Sequence, residues 1–343
     1  MSGRPPIVEE LAARWLPRLL AVQREIRAAI RAAQIRADLH DDPGRSPSRT
    51  VRDGEGDTIF GIDVDAEAVL LGACERWQRD ECFVLVAEGI EPAGGRMFGS
   101  GTPSVRLICD PVDGSRGLMF DKRSAWSLAG IAIERGAATS LREIVVAAMT
   151  ELPTTRQDRC DVLWAVRGGA AEGESVRLDD GQRQRFRPQP SQASDLRHGF
   201  ATVCNFFQGG KELTARIDED LIGRALGGWD HRKAEVYSDQ YISSGGQLAE
   251  VLLGRDRFVL DIRPLVHAAL GYDGTLCCKP YDLCTALIAE AAGCIVTTAG
   301  GGPLDPPLDT TTNLDFAAYA NPTLAAVLGP LVTATLRDHG LLG

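Results

Sequence analysis

Apolar side chains first recur at helical spacing, at Leu11, Trp15, Leu19, Val22, Ile26 and Ile30. Steps of three and four residues keep them on one face, so 7–35 is predicted to be an amphipathic helix. Pro17 either starts its main part or kinks it, and the arginines of the opposite face read as a solvated surface. Residues 37–57 are polar, with Pro43, Gly44, Pro47, Gly54 and Gly56, and read as a mobile loop. A helix is expected over Asp65–Trp77. Apolar runs of strand length follow at Cys82–Ala87, Val105–Cys109, Ser127–Ile133, Ile144–Met149 and Asp161–Val166. The polar stretch Gly168–Pro190 reads as a loop or domain link. Beyond it, strands are predicted at Ala201–Phe206, Phe258–Ile262, Cys294–Thr298 and Phe316–Ala320. Helices are predicted at Lys211–Leu226, Gly246–Leu253, Tyr281–Ala292 and Pro322–His339. This order predicts an α+β domain over 1–192 and an α/β domain over 193–343, with two sheets sandwiched by helices.

Composition narrows the function classes. With 44% hydrophobic and 24% charged side chains, the 343-residue chain is globular rather than disordered. Its net charge of −10 argues against a nucleic-acid partner, which a basic footprint would serve. Phosphorylated small molecules stay open, because a divalent cation reverses the local sign of a site. No signal peptide is visible at the N-terminus, and no run of about 18 apolar residues would cross a membrane. The nine cysteines are scattered with no C-x-x-C pair, as expected of free thiols in a reducing cytoplasmic setting. The five histidines are too far apart in sequence to suggest zinc.

Carboxylates at strand ends are the richest chemical signal. The strand Val105–Cys109 runs directly into Asp110-Pro111-Val112-Asp113-Gly114-Ser115. Two carboxylates three residues apart at such an exit can share metal ions, and Val112 can turn its carbonyl inward. Gly114 lets the backbone N–H groups of 114 and 115 approach an anion. Oxygen ligands alone suit Mg²⁺ or Mn²⁺. Read alone, the segment is equally an Asx-type turn; an EF-hand fits badly, because the second Asp and the Gly fall one position early. Glu88, after Phe83–Ala87, is either a site residue or a solvated strand end. In Ile62-Asp63-Val64-Asp65-Ala66-Glu67 the acids could cap a helix or favour its dipole. Asp282, in Lys279-Pro280-Tyr281-Asp282, could likewise be a first-turn residue of the helix that runs to Gly293.

In order, these segments resemble the inositol monophosphatase family, whose superfamily includes fructose-1,6-bisphosphatases and 3′-phosphoadenosine nucleotidases. The resemblance rests on Ile62-Asp63 with Ala66-Glu67, Glu88-Gly89, the 110–115 segment, and Tyr281-Asp282 with Ala289-Glu290-Ala291-Ala292-Gly293. It covers roughly residues 7 to 330. It implies an αβαβα five-layer sandwich of the sugar-phosphatase type and an Mg²⁺-dependent phosphomonoesterase using metal-activated water. Its substrate would be a small phosphorylated polyol, sugar or nucleotide. Glu88, Asp110 and the Val112 carbonyl would hold one metal, and Asp110, Asp113 and Asp282 a second. Asp63 and Ser115 would orient the attacking water, and Gly114 and Ser115 would bind phosphate. Ser244, Gly245 and Asp261 would contact the substrate. Lithium sensitivity and a homodimer are implied too. Departures are Gly89 where a second acid is frequent, Tyr281 for tryptophan, Ser115 for threonine, and an extra segment over 262–279. Two rivals are a haloacid-dehalogenase-type phosphatase using Asp63 of Asp63-x-Asp65 as nucleophile, and a non-catalytic phosphosugar-binding protein on the same fold.

Overall fold

The computed structural model describes residues 4–40, 50–53, 58–273 and 276–343, with side chains described for 4–35, 61–273 and 276–343. Helix α1 (Pro6–His40) continues through Pro17. Leu11, Trp15, Leu19, Val22, Ile26 and Ile30 are each at most 2% exposed, so the helical spacing marks a buried face. Gln23 lies buried on the same helix. Its amide donates to the carbonyls of Ser127 and Ala148, and its oxygen accepts from Thr150, so the polar group is satisfied where α1 meets the sheet. The arginines of α1 are not simply solvated: Arg18 donates to the buried Glu81 at 2.6 Å.

The first sheet has eight strands: β3 (Phe83–Ala87), β4 (Arg96–Phe98), β5 (Val105–Asp113), β6 (Ala125–Ile133), β7 (Ile144–Leu152), β8 (Arg159–Val166), β9 (Glu172–Arg177) and β10 (Arg183–Phe186). Their order is β10-β9-β8-β7-β6-β5-β3-β4, with β3 and β5 parallel. The second sheet is formed by β11 (Gly199–Val203), β12 (Val236–Tyr237), β13 (Asp256–Asp261), β14 (Ile295–Thr297) and β15 (Phe316–Tyr319), in the order β12-β11-β13-β15-β14. Helices α1 and α2 (Gly61–Trp77) cover one face of the first sheet. Helices α5 (Ser244–Leu252) and α7 (Ala286–Ala292) lie between the sheets, and α4 (Lys211–Leu226) and α8 (Pro322–Asp338) cover the far face of the second. The layers therefore alternate α, β, α, β, α. Strand β6 is buried on both faces: Ala129 and Ile131 pack toward α1 and α2, while Trp126 and Leu128 join the core shared with the second sheet.

Several expectations change. Gly168–Pro190 contains the β9–β10 hairpin rather than being only a link, with Glu174 of β9 pairing Arg183 and Arg185 of β10. Helix α1 extends to His40, and β1 (Thr50–Asp53) pairs with β2 (Thr58–Phe60), so the stretch 37–57 is not wholly loop. The expected loop over 41–49 and 54–57 lies outside the described residues. Helix α2 starts at Gly61, four residues early, which puts Asp63 in its first turn. Helix α7 starts only at Ala286, with turns before it. The extra segment 262–279 contains helix α6 (Arg263–Leu270). Among the described residues no helix is long and apolar enough to cross a membrane.

Candidate active site

In an unbroken strand, residues three apart point to opposite faces. Asp110 and Asp113 escape this rule because β5 bulges between them: Asp110 pairs with Leu128 and Asp113 with Trp126, three steps against two. One extra residue re-aims the second side chain, so both carboxylates reach one side. Gly114 follows at φ 98° and starts the short helix α3 (Ser115–Met119). A Cβ on Gly114 would lie 2.9 Å from the Cβ of Ser243. Positive φ and this close approach together demand glycine. Gly114→Ala is expected to destabilise the protein by about 1–3 kcal/mol. Urea denaturation measures this directly, and a midpoint equal to wild type would refute the packing described.

Asp282 joins from the turn before α7. Its carboxylate accepts from the Lys279 N–H at 2.6 Å in the turn before α7, which holds it short of the helix proper. Carboxylate oxygens of Asp110, Asp113 and Asp282 lie within 4.8 Å of one another. In each, one oxygen already serves a protein donor. Asp110 Oδ1 accepts from Val112 N–H at 2.9 Å, and Asp113 Oδ2 from Ser243 Oγ at 2.9 Å and Gly245 N–H at 2.6 Å. The Asx-type turn at Asp110 therefore exists and serves the cluster. Burial pushes the Asp110 carboxyl well above the ordinary carboxylate range, reinforced by the charges of Glu88, Asp113 and Asp282. Asp113 is raised by burial and then by Asp282, against the opposing hydrogen bonds from Ser243 and Gly245. Asp282 is raised by burial, opposed by the Lys279 N–H, the Arg263 charge and a hydrogen bond with Asp110. Burial raises all three acids, and the charge of Asp282 raises the other two; such a cluster is relieved either by protons or by a cation. An all-oxygen, carboxylate-rich set matches a hard divalent ion such as Mg²⁺ or Mn²⁺, so these residues fit the metal that the sequence led us to expect.

The trio lies in a cleft of about 730 Å³. Asp63, Glu88, Val112, Gly114, Ser115 and Ser244 line it together with the trio. Glu88 stands at the end of β3, beside the parallel β5. Two expected substrate contacts do not line it. Gly245 reaches the site only through its N–H on Asp113, and a Cβ there would meet Leu128 Cδ1 at 2.4 Å. Asp261 is wholly buried, and its carboxylate takes Arg263 Nε at 2.9 and 3.0 Å and Nη2 at 2.5 Å. Arg263 is the residue that reaches the cleft. Asp63 and Asp65 cannot converge on one phosphate, because residues two apart on a helix do not share a face; Asp65 is exposed and outside the cleft lining. That removes the structural basis for the D-x-D reading.

Sequence reasoning missed the wall facing the carboxylates. Phe206 and Phe207 meet edge to face at 4.8 Å, with the Arg263 guanidinium 4.6 Å from the Phe206 ring and Arg116 5.1 Å from that of Phe207. The visible signal was an aromatic pair at the end of the predicted strand Ala201–Phe206.

Neither a family model nor a curated protein sequence matches this chain. Solved structures do. A fructose-1,6-bisphosphatase from Leishmania major superposes with a TM-score of 0.63 at 15% identity, covering 94% of each chain. A hypothetical protein from Pyrococcus horikoshii, described as similar to inositol-1 monophosphatase, gives 0.61 at 15% identity, over 93% of this chain and 98% of that one. SuhB from Mycobacterium tuberculosis gives 0.56 at 17%, over 93% and 94%. The chain has the fold shared by inositol monophosphatase and fructose-1,6-bisphosphatase structures.

Proposed function

We propose that the protein is an Mg²⁺-dependent phosphomonoesterase acting on a small phosphorylated polyol, sugar or nucleotide, with Mn²⁺ as a substitute ion. One observation carries the reading: two buried carboxylates and a half-buried one converge within 4.8 Å in a cleft large enough for such a metabolite. Asp110, Asp113 and Asp282 would hold one cation, and Glu88, Asp110 and the Val112 carbonyl another. When bound, these ions neutralise phosphoryl charge and lower the pKa of water. Asp63 accepts the proton of the attacking water, and the Ser115 hydroxyl keeps that water in line with the leaving oxygen. The N–H groups of Gly114 and Ser115 donate to phosphate oxygens, whose charge grows less costly as they do so. Ser244 faces the leaving group. Lithium sensitivity, a homodimer and a cytoplasmic location belong to the same proposal.

Attack by water forms the new P–O bond as the ester P–O bond breaks, and the leaving oxygen takes up a proton from solvent as Asp63 later gives one back, so no phosphoenzyme arises. A single turnover in ¹⁸O-labelled water is expected to place one label in the released phosphate. Acid-quenched protein should show no mass increase at Asp63. An acyl phosphate there would overturn the mechanism, whereas cation binding with no phosphate release would favour a non-catalytic phosphosugar-binding protein.

A further inference from the structure

Asp113 is gripped from across the molecule. It ends β5 in the eight-stranded sheet, while its two donors, Ser243 and Gly245, stand at the start of α5 between the sheets. Ser243 is 3% exposed, and its Oγ also accepts the Gly246 N–H at 2.8 Å. That N-cap uses a lone pair of the hydroxyl. Its single proton is thereby directed to Asp113 Oδ2 at 2.9 Å. The Gly245 N–H ends on the same oxygen. Both donors therefore end on Oδ2, which fixes the carboxylate plane.

The surrounding geometry allows little slack. A Cβ on Gly245 would come within 2.9 Å of Asp113 Oδ2, and one on Gly246 within 2.5 Å of Ser243 Oγ. Gly114 abuts Ser243 from the other side. The glycines of the two turns let the donor and the carboxylate interlock, so the hydroxyl acts at a set distance.

We propose that Ser243 is a positioning residue for the metal centre: its hydroxyl orients Asp113 and so sets the cation affinity of the trio, beyond its role as a helix cap. This rests on the metal-dependent reading above. A hydrogen bond to a ligand carboxylate fixes its orientation, and losing such a partner typically weakens metal binding about 10- to 100-fold. A cap alone would change stability and leave affinity untouched.

Mn²⁺ binding to the full-length protein, measured by calorimetry beside the metal-free thermal midpoint, separates the two. Ser243→Ala is expected to raise the Mn²⁺ Kd about 10-fold or more, and Ser243→Thr, which keeps the hydroxyl, to restore it. At saturating metal, the substrate KM of Ser243→Ala should stay near wild type. An unchanged Mn²⁺ Kd in Ser243→Ala, whatever its thermal midpoint, would overturn the proposal. So would equal weakening in both variants, which would make packing at 243 the cause. If Ser243→Ala does not fold, Ser243→Cys, a weak donor of similar size, takes its place. Its Kd is expected to rise, and a wild-type value would overturn the proposal. Wild-type protein that takes up no Mn²⁺ would overturn the metal reading itself, whereas wild-type uptake with unaltered variants would overturn only the role of Ser243.

Discussion

Asp110→Asn is expected to lower kcat/KM by about a thousandfold or more while leaving the protein folded. The size follows from the several kcal/mol that metal charge contributes to a phosphoryl transition state, at about 1.4 kcal/mol per tenfold. Asp110 is 2% exposed and stands among the charges of Glu88, Asp113 and Asp282. Asparagine keeps the oxygen that accepts from Val112 N–H. It removes the charge that burial and the neighbouring acids oppose. Metal-free Asp110→Asn should therefore melt at the wild-type temperature or higher, because an ionised Asp110 destabilises the folded state in the absence of a cation. Lost turnover with an intact melting transition is the expected pair of results. Near-wild-type turnover would remove Asp110 from the metal centre.

Asp282→Ala should be nearly as damaging, by about a hundredfold or more in kcat/KM. Asp282 lies far along the chain from Asp63, and both line one cleft because the fold brings the turn before α7 and the first turn of α2 to it. A mechanism resting on Asp63 alone gives Asp282 no part, so this variant discriminates between the readings where an Asp63 variant cannot. Losing the acceptor for Lys279 N–H should also cost about 1 kcal/mol of stability. Steady-state assays at saturating Mg²⁺ decide the matter, and activity within a few-fold of wild type would contradict the assignment.

The sheets were legible because their inner strands are buried on both faces and read as apolar runs. The β9–β10 hairpin was not legible: Glu172–Arg177 and Arg183–Phe186 are largely polar, as suits a pair at the sheet's rim whose registry draws on cross-strand ion pairs. Asp110 and Asp113 stood out as a motif, but the bulge that brings them to one side leaves no trace in the order of residues. Asp282 was placed on a helix by its apolar neighbours. In the structure its carboxylate accepts the Lys279 N–H within a turn, and the helix begins four residues later. Asp261 illustrates the limit of reading by position. It occupies the expected place at the end of β13, but Arg263, two residues on, folds back and takes both carboxylate oxygens. The acid is thereby buried and a guanidinium reaches the cleft instead. Such local pairing depends on side-chain geometry that spacing alone does not encode.

On the proposed function, this cleft hydrolyses phosphate monoesters with a divalent cation held by Asp110, Asp113 and Asp282. The most direct measurement is inorganic phosphate release from a panel of sugar, polyol and nucleotide phosphomonoesters by the purified protein, before chelation, after it, and after Mg²⁺ is returned. The account predicts release from at least one ester with Mg²⁺, its loss on chelation, and its recovery on Mg²⁺ addition; release that survives thorough chelation would contradict it.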